Sequence, residues 1–593
     1  MILQRLAEHY DRIAANPEAQ VPRTGWSEQK ISFCVVLNED GTLNSCESLL
    51  EPHGRGKPRP REMLVPGQSK PSGSSITPCL LWDSSQYMLG YKPKDCDPER
   101  TQKCFAAFRD RHLDLESRLR QPAYKALCTF LRSWSPEEAQ KHRALLDEIA
   151  TNFGVFRLAA TKNYLHEQFA AEIADLLDGD DKPKAAKGMC LVTGRFASLA
   201  RLHEPKIKGV SGAQSAGALL VSFNAAAYES YGKEQSYNAP VSVDAAFKYA
   251  NALNFLLKDQ RRRVSLGDAT VVFWAERRHA LEEAMSDLFG EIALPEPSAE
   301  DEDRVQQARR FLNQLRDGAA EDPAFDPKSH TSFFILGLAP NASRISVRFW
   351  VEASAGELEF RLAKHLQDVR VVRRDDRPLT LRDIARSTGR AERGPDGRFK
   401  GFDTKSVNDQ LIGELARSVL TGAAYPQSLL SAMLRRIRSD GEVHPARVAA
   451  IKGCLVRNAR LRGTNLEVSV ELDECQTASA YRMGRLFALL EKIQSDSAES
   501  DLNSTIKDRY FSSASTTPAA VFPRLFRLSQ HHQAKLPPGT KVYYEKLLQE
   551  TISGLCDFPA HLTLEDQGLF VIGYYHQRQK LFTKKPQEQG AVQ

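Results

Sequence analysis

The sequence predicts a multidomain α+β protein, with a mixed α/β body on the N-terminal side and an all-helical C-terminal bundle. Three observations predict it. The 593 residues exceed what one hydrophobic core supports, so two to four domains are expected. Apolar runs of strand length stand among helical periodicities up to residue 405, and from 406 onward nearly every apolar pattern has helical spacing. Composition is that of a globular chain, 41% hydrophobic and 26% charged, which excludes a disordered or fibrous one.

Ile2, Leu3, Leu6, Tyr10 and Ile13 share a helical face, so the chain opens on a helix over 2–15. An extended run at 31–37 ends on Asn38-Glu39-Asp40-Gly41, a turn whose glycine accepts positive φ. Residues 51–78, rich in Pro, Gly, Ser and cations, read as a long surface loop before a buried run at 79–82. Helices dominate 98–178, one of them with Ser135 as cap, Pro136 in its first turn and Glu138 completing a capping box. Residues 179–183 read as a linker that closes an N-terminal α+β domain over 1–180. A mixed α/β domain over 181–405 follows. Its short strands at 189–193, 218–223 and 270–275 alternate with helices at 243–258 and 277–289, and a hairpin joins 333–338 to 344–350. Residues 293–304 read as a solvated connection and 386–405 as the last linker. The helical bundle over 406–593 carries amphipathic stretches near 407–421, 426–438, 444–461, 476–494, 517–533, 539–553 and 562–582.

Several chemistries lack their residues. The ten cysteines include no C-x-x-C pair, so neither a zinc ribbon nor an iron–sulfur site is expected. A Walker A sequence, a G-x-S-x-G elbow and H-E-x-x-H are missing, since His166-Glu167 continues as Gln168-Phe169-Ala170. His531 and His532 are adjacent, so on a helix their rings diverge by about 100°, a poor metal geometry. Residues 1–15 mix charges into their apolar stripe, unlike a signal peptide. No run of about 18 apolar residues supports a membrane span. The expectation is a cytoplasmic protein with no catalytic residue, cofactor, metal or membrane contact. A nucleic-acid-cleaving enzyme and a purely structural scaffold stay open as alternatives.

The formal net charge of +6 is too small for binding to nucleic acid through bulk charge, so contacts must come from local clusters. Four stretches qualify. Arg55, Lys57, Arg59 and Arg61 lead into a Gly-Ser-Thr segment with Lys70, where cations can neutralise phosphates and hydroxyls can bond phosphate or base edges. A solvated polar loop has the same composition. Lys206 and Lys208 precede a glycine-rich path at 209–217, and Tyr228, Tyr231 and Tyr237 then stand among amides, a mixture suited to stacking on bases or to simple core packing. Strand periodicity puts Arg344, Ser346 and Arg348 on one face, a backbone-binding surface or a solvated one. Finally, residues 431–470 hold eight cations (Arg435, Arg436, Arg438, Arg447, Lys452, Arg457, Arg460 and Arg462) against Asp440, Glu442 and Glu467, a surplus of five. Such clustering attracts a phosphate backbone or an acidic protein face.

Several segments together resemble one family. These are Met1–Gln4, 30–33 (KISF), 81–83 (LWD), the long run LHEPKIKGVSGAQSAGALLVSFNAAAYESYGKEQSYNAPVS at 202–242, DATVVFWAE at 268–276, LGLAPNASRISVRFW at 336–350 and YRMGRLFALLEKIQ at 481–494. Over essentially its full length the chain resembles the large subunit of type I-C CRISPR Cascade surveillance complexes, RNA-guided ribonucleoproteins of antiviral defence. The resemblance implies a DNA-binding subunit that recognises the protospacer-adjacent motif in double-stranded DNA, promotes R-loop formation and recruits a helicase-nuclease. It implies as partners the crRNA-guided backbone and foot subunits, a separate small subunit, and the target duplex. By position, the loop at 51–78 resembles the motif-sensing region, with Lys70, Ser72, Ser74, Ser75 and Thr77 as contacts. The backbone candidates are then Arg59, Arg61, Lys206, Lys208, Arg344, Arg348, Arg435, Arg436, Arg438, Lys452, Arg457 and Arg460. Residues 483–593 resemble the small subunit, which in this family is also translated from an internal start, for which Met483 is the candidate. A buried core methionine is the plain alternative.

Overall fold

The computed structural model describes the chain except for residues 1, 17–18, 53–57, 68–69, 71–74, 149–152, 179–185, 267, 290–305, 307–309, 311, 318–329, 374, 376, 396, 465, 499–503 and 583–593. It is an α+β fold, with mixed sheets in the N-terminal part and helices in the C-terminal part. The chain divides into two compact units, one of residues 1–209 with 214–255, the other of 210–213 with 256–593. The expected boundaries at 180 and 405 fall inside the first and the second unit respectively.

In the first unit, α1 (Ile2–Ala14) buries Leu6, Tyr10 and Ile13, the stripe its spacing dictates. The sheet is built from β1 (Trp26–Leu37), β2 (Leu43–Ser48), β3 (Leu50–Glu51), β4 (Arg59–Pro66), β5 (Trp82–Ser84) and β6 (Phe153–Leu158). Its order is β3-β4-β1-β6-β5, with β2 also on β1. β1 and β6 run parallel, which requires a crossover. Helices α2 (Pro98–Asp114) and α3 (Pro122–Ser133) lie in that crossover, and Phe105, Phe108, Tyr124 and Leu127 cluster with Phe33, Val35, Leu37 and Phe156 of the sheet. On the opposite face Ile31, Cys34, Val36, Val65, Trp82 and Val155 form a smaller cluster. Burial on both faces is why 31–37 reads as a continuous apolar run.

Five expectations change here. Residues 59–66, inside the expected loop, form β4, paired antiparallel with β1 from Trp26↔Pro66 to Ile31↔Arg61. Its prolines and charges conceal a strand that is an edge for most of its length, where Pro costs no ladder bond. The stretch 98–178 encloses β6, and Ser135 makes no cap because Pro136–His142 is a 3₁₀ turn. The strand expected at 189–193 is instead the end of a small hairpin, β7 (Lys187–Met189) with β8 (Phe196–Ser198). The strand expected at 218–223 does not form. Only Ala218 bridges, to Ile207, because Gly209, Gly217 and Gly232 take positive φ and turn the chain out of any ladder.

Helix α4 (Val243–Lys258) carries the chain into the second unit. There β9 (Arg263–Leu266), β10 (Ala269–Ala275), β11 (Ser332–Asn341) and β12 (Arg344–Ser354) form an antiparallel sheet in the order β12-β11-β10-β9. Helices α5 (Leu281–Phe289), α6 (Ala355–Asp368) and α7 (Leu381–Arg386) follow along the chain. The expected linker at 386–405 holds a hairpin, β13 (Ala391–Arg393) with β14 (Phe399–Phe402). The helices then come close to where their periodicity puts them: α8 (Asp409–Thr421), α9 (Gln427–Asp440), α10 (Pro445–Leu461), α11 (Ser479–Asp496), α12 (Ile506–Ala514), α13 (Pro518–Gln533), α14 (Pro538–Ile552) and α15 (Leu564–Phe582). Among these eight helices, α12 alone had no sequence expectation. One hydrophobic cluster runs from Val264 through Tyr575, so sheet and bundle share a core. Helices α11 and α15 touch backbone to backbone: neither Gly484, against Phe570 O, nor Gly573, against Tyr481 O, has room for a Cβ.

Candidate nucleic-acid interface

In the first unit, Lys70 and Cys79 meet at one buried carboxylate. The Lys70 ammonium pairs with Asp83, which is fully buried, and lies 3.2 Å from the centroid of the Tyr87 ring. Asp83 also accepts the Cys79 N–H at 2.9 Å. Burial raises the Asp83 carboxyl pKa, and the Lys70 charge pulls against that rise. Arg111 donates to the Pro78 carbonyl. Leu81, at φ 64, is held by its N–H donating to His112 Nε2 at 2.9 Å, while His112 Nδ1 bonds Phe108 O at 2.8 Å. His112 is neutral, its pKa pushed down to about 4 by burial.

This geometry corrects the role expected of Lys70. Its charge is satisfied within the fold, and it anchors the segment instead of projecting toward a phosphate. Ser75 and Thr77 are exposed, Arg59 and Arg61 are exposed on β4, and Arg61 Nε lies 3.5 Å from Glu51. Ser72 and Ser74 lie outside the described residues.

Lys206 and Lys208 are presented side by side. Ile207 between them is buried and bridges Ala218, so strand alternation turns both lysines outward. Asn254 holds them there, donating to Lys206 O at 3.0 Å and accepting from Lys208 N–H at 2.8 Å. Nearby in sequence, Tyr228 and Tyr231 are exposed, Tyr231 almost completely at 98%. The β7–β8 hairpin adds what sequence reading missed. Met189 and Phe196 are cross-strand partners and both face solvent, beside the exposed Arg195. Exposed rings interleaved with cations suit the stacking and phosphate contacts of an unpaired strand.

The expected basic surfaces of the second unit are largely internal. β12 carries a bulge: Leu338 pairs with Val347 and Gly337 with Phe349, so Val347 and Arg348 are both exposed and the alternation that would line up one basic face is lost. Arg348 pairs with Asp268, and Arg344 is half-buried. Among the 431–470 cations, Arg447, Lys452 and Arg457 are buried. Arg457 donates to Ser418 O at 2.9 Å and Ala423 O at 2.8 Å, at the end of α8, and lies over the Tyr425 ring. Arg447 donates to Ser387 O, Gly389 O and Asp440, and Lys452 donates to Arg370 O at 2.6 Å. Arginines here satisfy carbonyls left open at helix ends. Arg460 grips Asp368 with two bonds, Arg436 donates to Thr388 O and Arg438 to Gln567. Of the six backbone candidates in this window, Arg435 alone is exposed and makes no side-chain bond or ion pair among the described residues. Met483 is fully buried in α11.

Among the described residues, no group of three or more His, Cys, Asp or Glu side chains could hold a metal ion, and no helix is long and apolar enough to cross a membrane. No curated protein matches the chain. A family model does: that of a CRISPR-associated protein (Cas_Csd1), over residues 6–582. The chain is therefore a protein of CRISPR defence, a system whose proteins work with a CRISPR RNA in multi-subunit assemblies. Within that class it belongs to the Cas_Csd1 family.

Proposed function

We propose that the chain is the DNA-binding large subunit of a type I-C surveillance complex, reading the protospacer-adjacent motif on duplex DNA, promoting the R-loop and receiving a helicase-nuclease. The observation that carries this reading is the doubly rooted segment 70–79. Lys70 and Cys79 both bond Asp83, so the two ends of a short polar stretch holding three serines and one glycine are fixed at one rigid point. A reader of a few base pairs needs such a base, because groove hydrogen bonds discriminate only when donors and acceptors are held in place. The guide RNA reads the remaining sequence by pairing. The paired Lys206 and Lys208 would hold phosphate, and the exposed tyrosines and Phe196 an unpaired base.

The subunit acts by binding and carries out no cleavage of its own. Lys206→Ala with Lys208→Ala, in the assembled complex, is expected to weaken target binding and reduce its salt slope by about two. Cutting of labelled duplex by the purified chain with Mg²⁺ or Mn²⁺, abolished by one carboxylate substitution, would instead establish a nuclease. In the same reading, the small subunit arises by translation from Met483.

A further inference from the structure

A cleft of about 830 Å³ opens in the second unit among the β13–β14 hairpin, α7 and the end of α15. That volume lies within the range of small-ligand sites. One wall is aromatic: the Phe399 and Phe402 ring centroids are 4.9 Å apart, and His444 stands 4.9 Å from the first and 5.0 Å from the second. Gly401, between the two phenylalanines in sequence, faces open space, with nothing within 4 Å of where a Cβ would lie. Arginines outnumber acids along the lining, Arg373, Arg377, Arg386 and Arg578 against Asp375 and Asp383. Both acids are engaged by Arg377, at 2.8 and 3.0 Å. Arg386 is exposed and forms no ion pair among the described residues; Arg578 lies over the Phe582 ring at 5.1 Å and likewise meets no carboxylate among them.

Two unneutralised guanidiniums and a partly exposed aromatic wall select a ligand that is both flat and anionic. Guanidinium binds phosphate with paired donors, and aromatic faces stack on bases of any sequence. Inorganic phosphate would leave the rings unused, and the side chains of Asp and Glu offer no extended π face to stack on them. Residues 583–593, with Lys584 and Lys585 against Glu588, offer no excess of negative charge for this cleft.

We propose that the cleft holds one nucleotide unit, its base against Phe399 and Phe402 and its phosphate on Arg386 and Arg578. The unit can be a free mononucleotide or one residue of a single strand; only the second source rests on the DNA-binding reading above. The full-length protein is titrated with AMP and, separately, with a fluorescent single-stranded DNA oligonucleotide. Two variants are compared, Arg386→Ala with Arg578→Ala, and Gly401→Leu, which keeps every charge and fills the open space.

Both variants are expected to keep the thermal midpoint and weaken binding at least tenfold. Loss of AMP binding identifies the free nucleotide, and loss of oligonucleotide binding alone identifies the strand. For the strand, the arginine variant reduces the salt slope by about 0.7, the value for one phosphate contact on a single strand, and Gly401→Leu leaves it unchanged. Binding of both probes unaffected by either variant, or no binding of either probe by the parent chain, overturns the proposal. Neither result bears on motif discrimination by the assembled complex, so the two readings fail separately.

Discussion

Lys70 and Asp83 form an ion pair in which the carboxylate is fully buried and the ammonium lies against Tyr87. Removing one member strands the other: Lys70→Ala leaves a buried, unpaired Asp83, at a cost of up to about 3 kcal/mol. The expected outcome is a lower thermal midpoint together with loss of discrimination between motif variants. Lys70→Met with Asp83→Asn should lose less than the sum of the single changes, a coupling measurable by a double-mutant cycle in denaturant.

Stability should fall on mild acidification. Burial holds the pKa of His112, His166, His203, His444 and His576 at about 4 and that of His365 at about 3. The ordinary value is about 6.5, so between pH 6.5 and 4 the unfolded chain binds more protons than the folded one. Stability therefore rises with pH across that window and is lost as pH falls through it, by up to about 1.4 kcal/mol per pH unit for each histidine. Chemical denaturation at pH 7 and at pH 5 reads the difference. Equal midpoints would show that these rings are not buried neutral.

Arg447 and Arg435 stand close in sequence and have opposite roles. Arg447 is buried on Asp440 and three carbonyls, so Arg447→Ala should destabilise by about 3–5 kcal/mol. Arg435 is exposed and makes no side-chain bond or ion pair among the described residues, so Arg435→Ala should change stability by less than about 0.5 kcal/mol. Only the second is a useful probe of DNA binding, read as a change in salt dependence.

Met483 is a core side chain, so Met483→Leu nearly conserves volume and should cost under about 1.5 kcal/mol. If translation also begins there, a C-terminally tagged gene yields two products and the substitution removes the shorter one alone. Persistence of the shorter product would move the start elsewhere. A product beginning at Met483 lacks Tyr481, whose hydroxyl meets His576 Nδ1 at 3.0 Å, so that contact is specific to the long chain.

The fold class was legible because α8 buries Leu411, Leu415, Ala416 and Val419 at helical spacing and β10 is apolar except for Thr270. β4 was not, since an edge strand tolerates Pro and charge that ordinarily argue against a ladder. The absence of a strand at 218–223 was equally hidden: glycines fix the path, and their φ is not written in an apolar run. Charge counting misled most at 431–470. It found the sign of the arginines but not that Arg447 and Arg457 point inward to close helix ends. The pair Lys206 and Lys208 was legible as charge, and only the Ile207–Ala218 bridge showed that both face outward. The cleft at Phe399 and Arg578 was invisible, because its lining spans residues 373–582.

We propose that this chain reads the bases beside the target. Guide-loaded complexes should be titrated with duplexes identical in the guide-paired region and different only in the adjacent motif. Affinity is expected to depend on those bases, and replacing residues 71–77 by a Gly-Ser run should abolish the dependence while pairing with the guide is retained. Equal affinity for every adjacent sequence, or a dependence that survives the replacement, would contradict it.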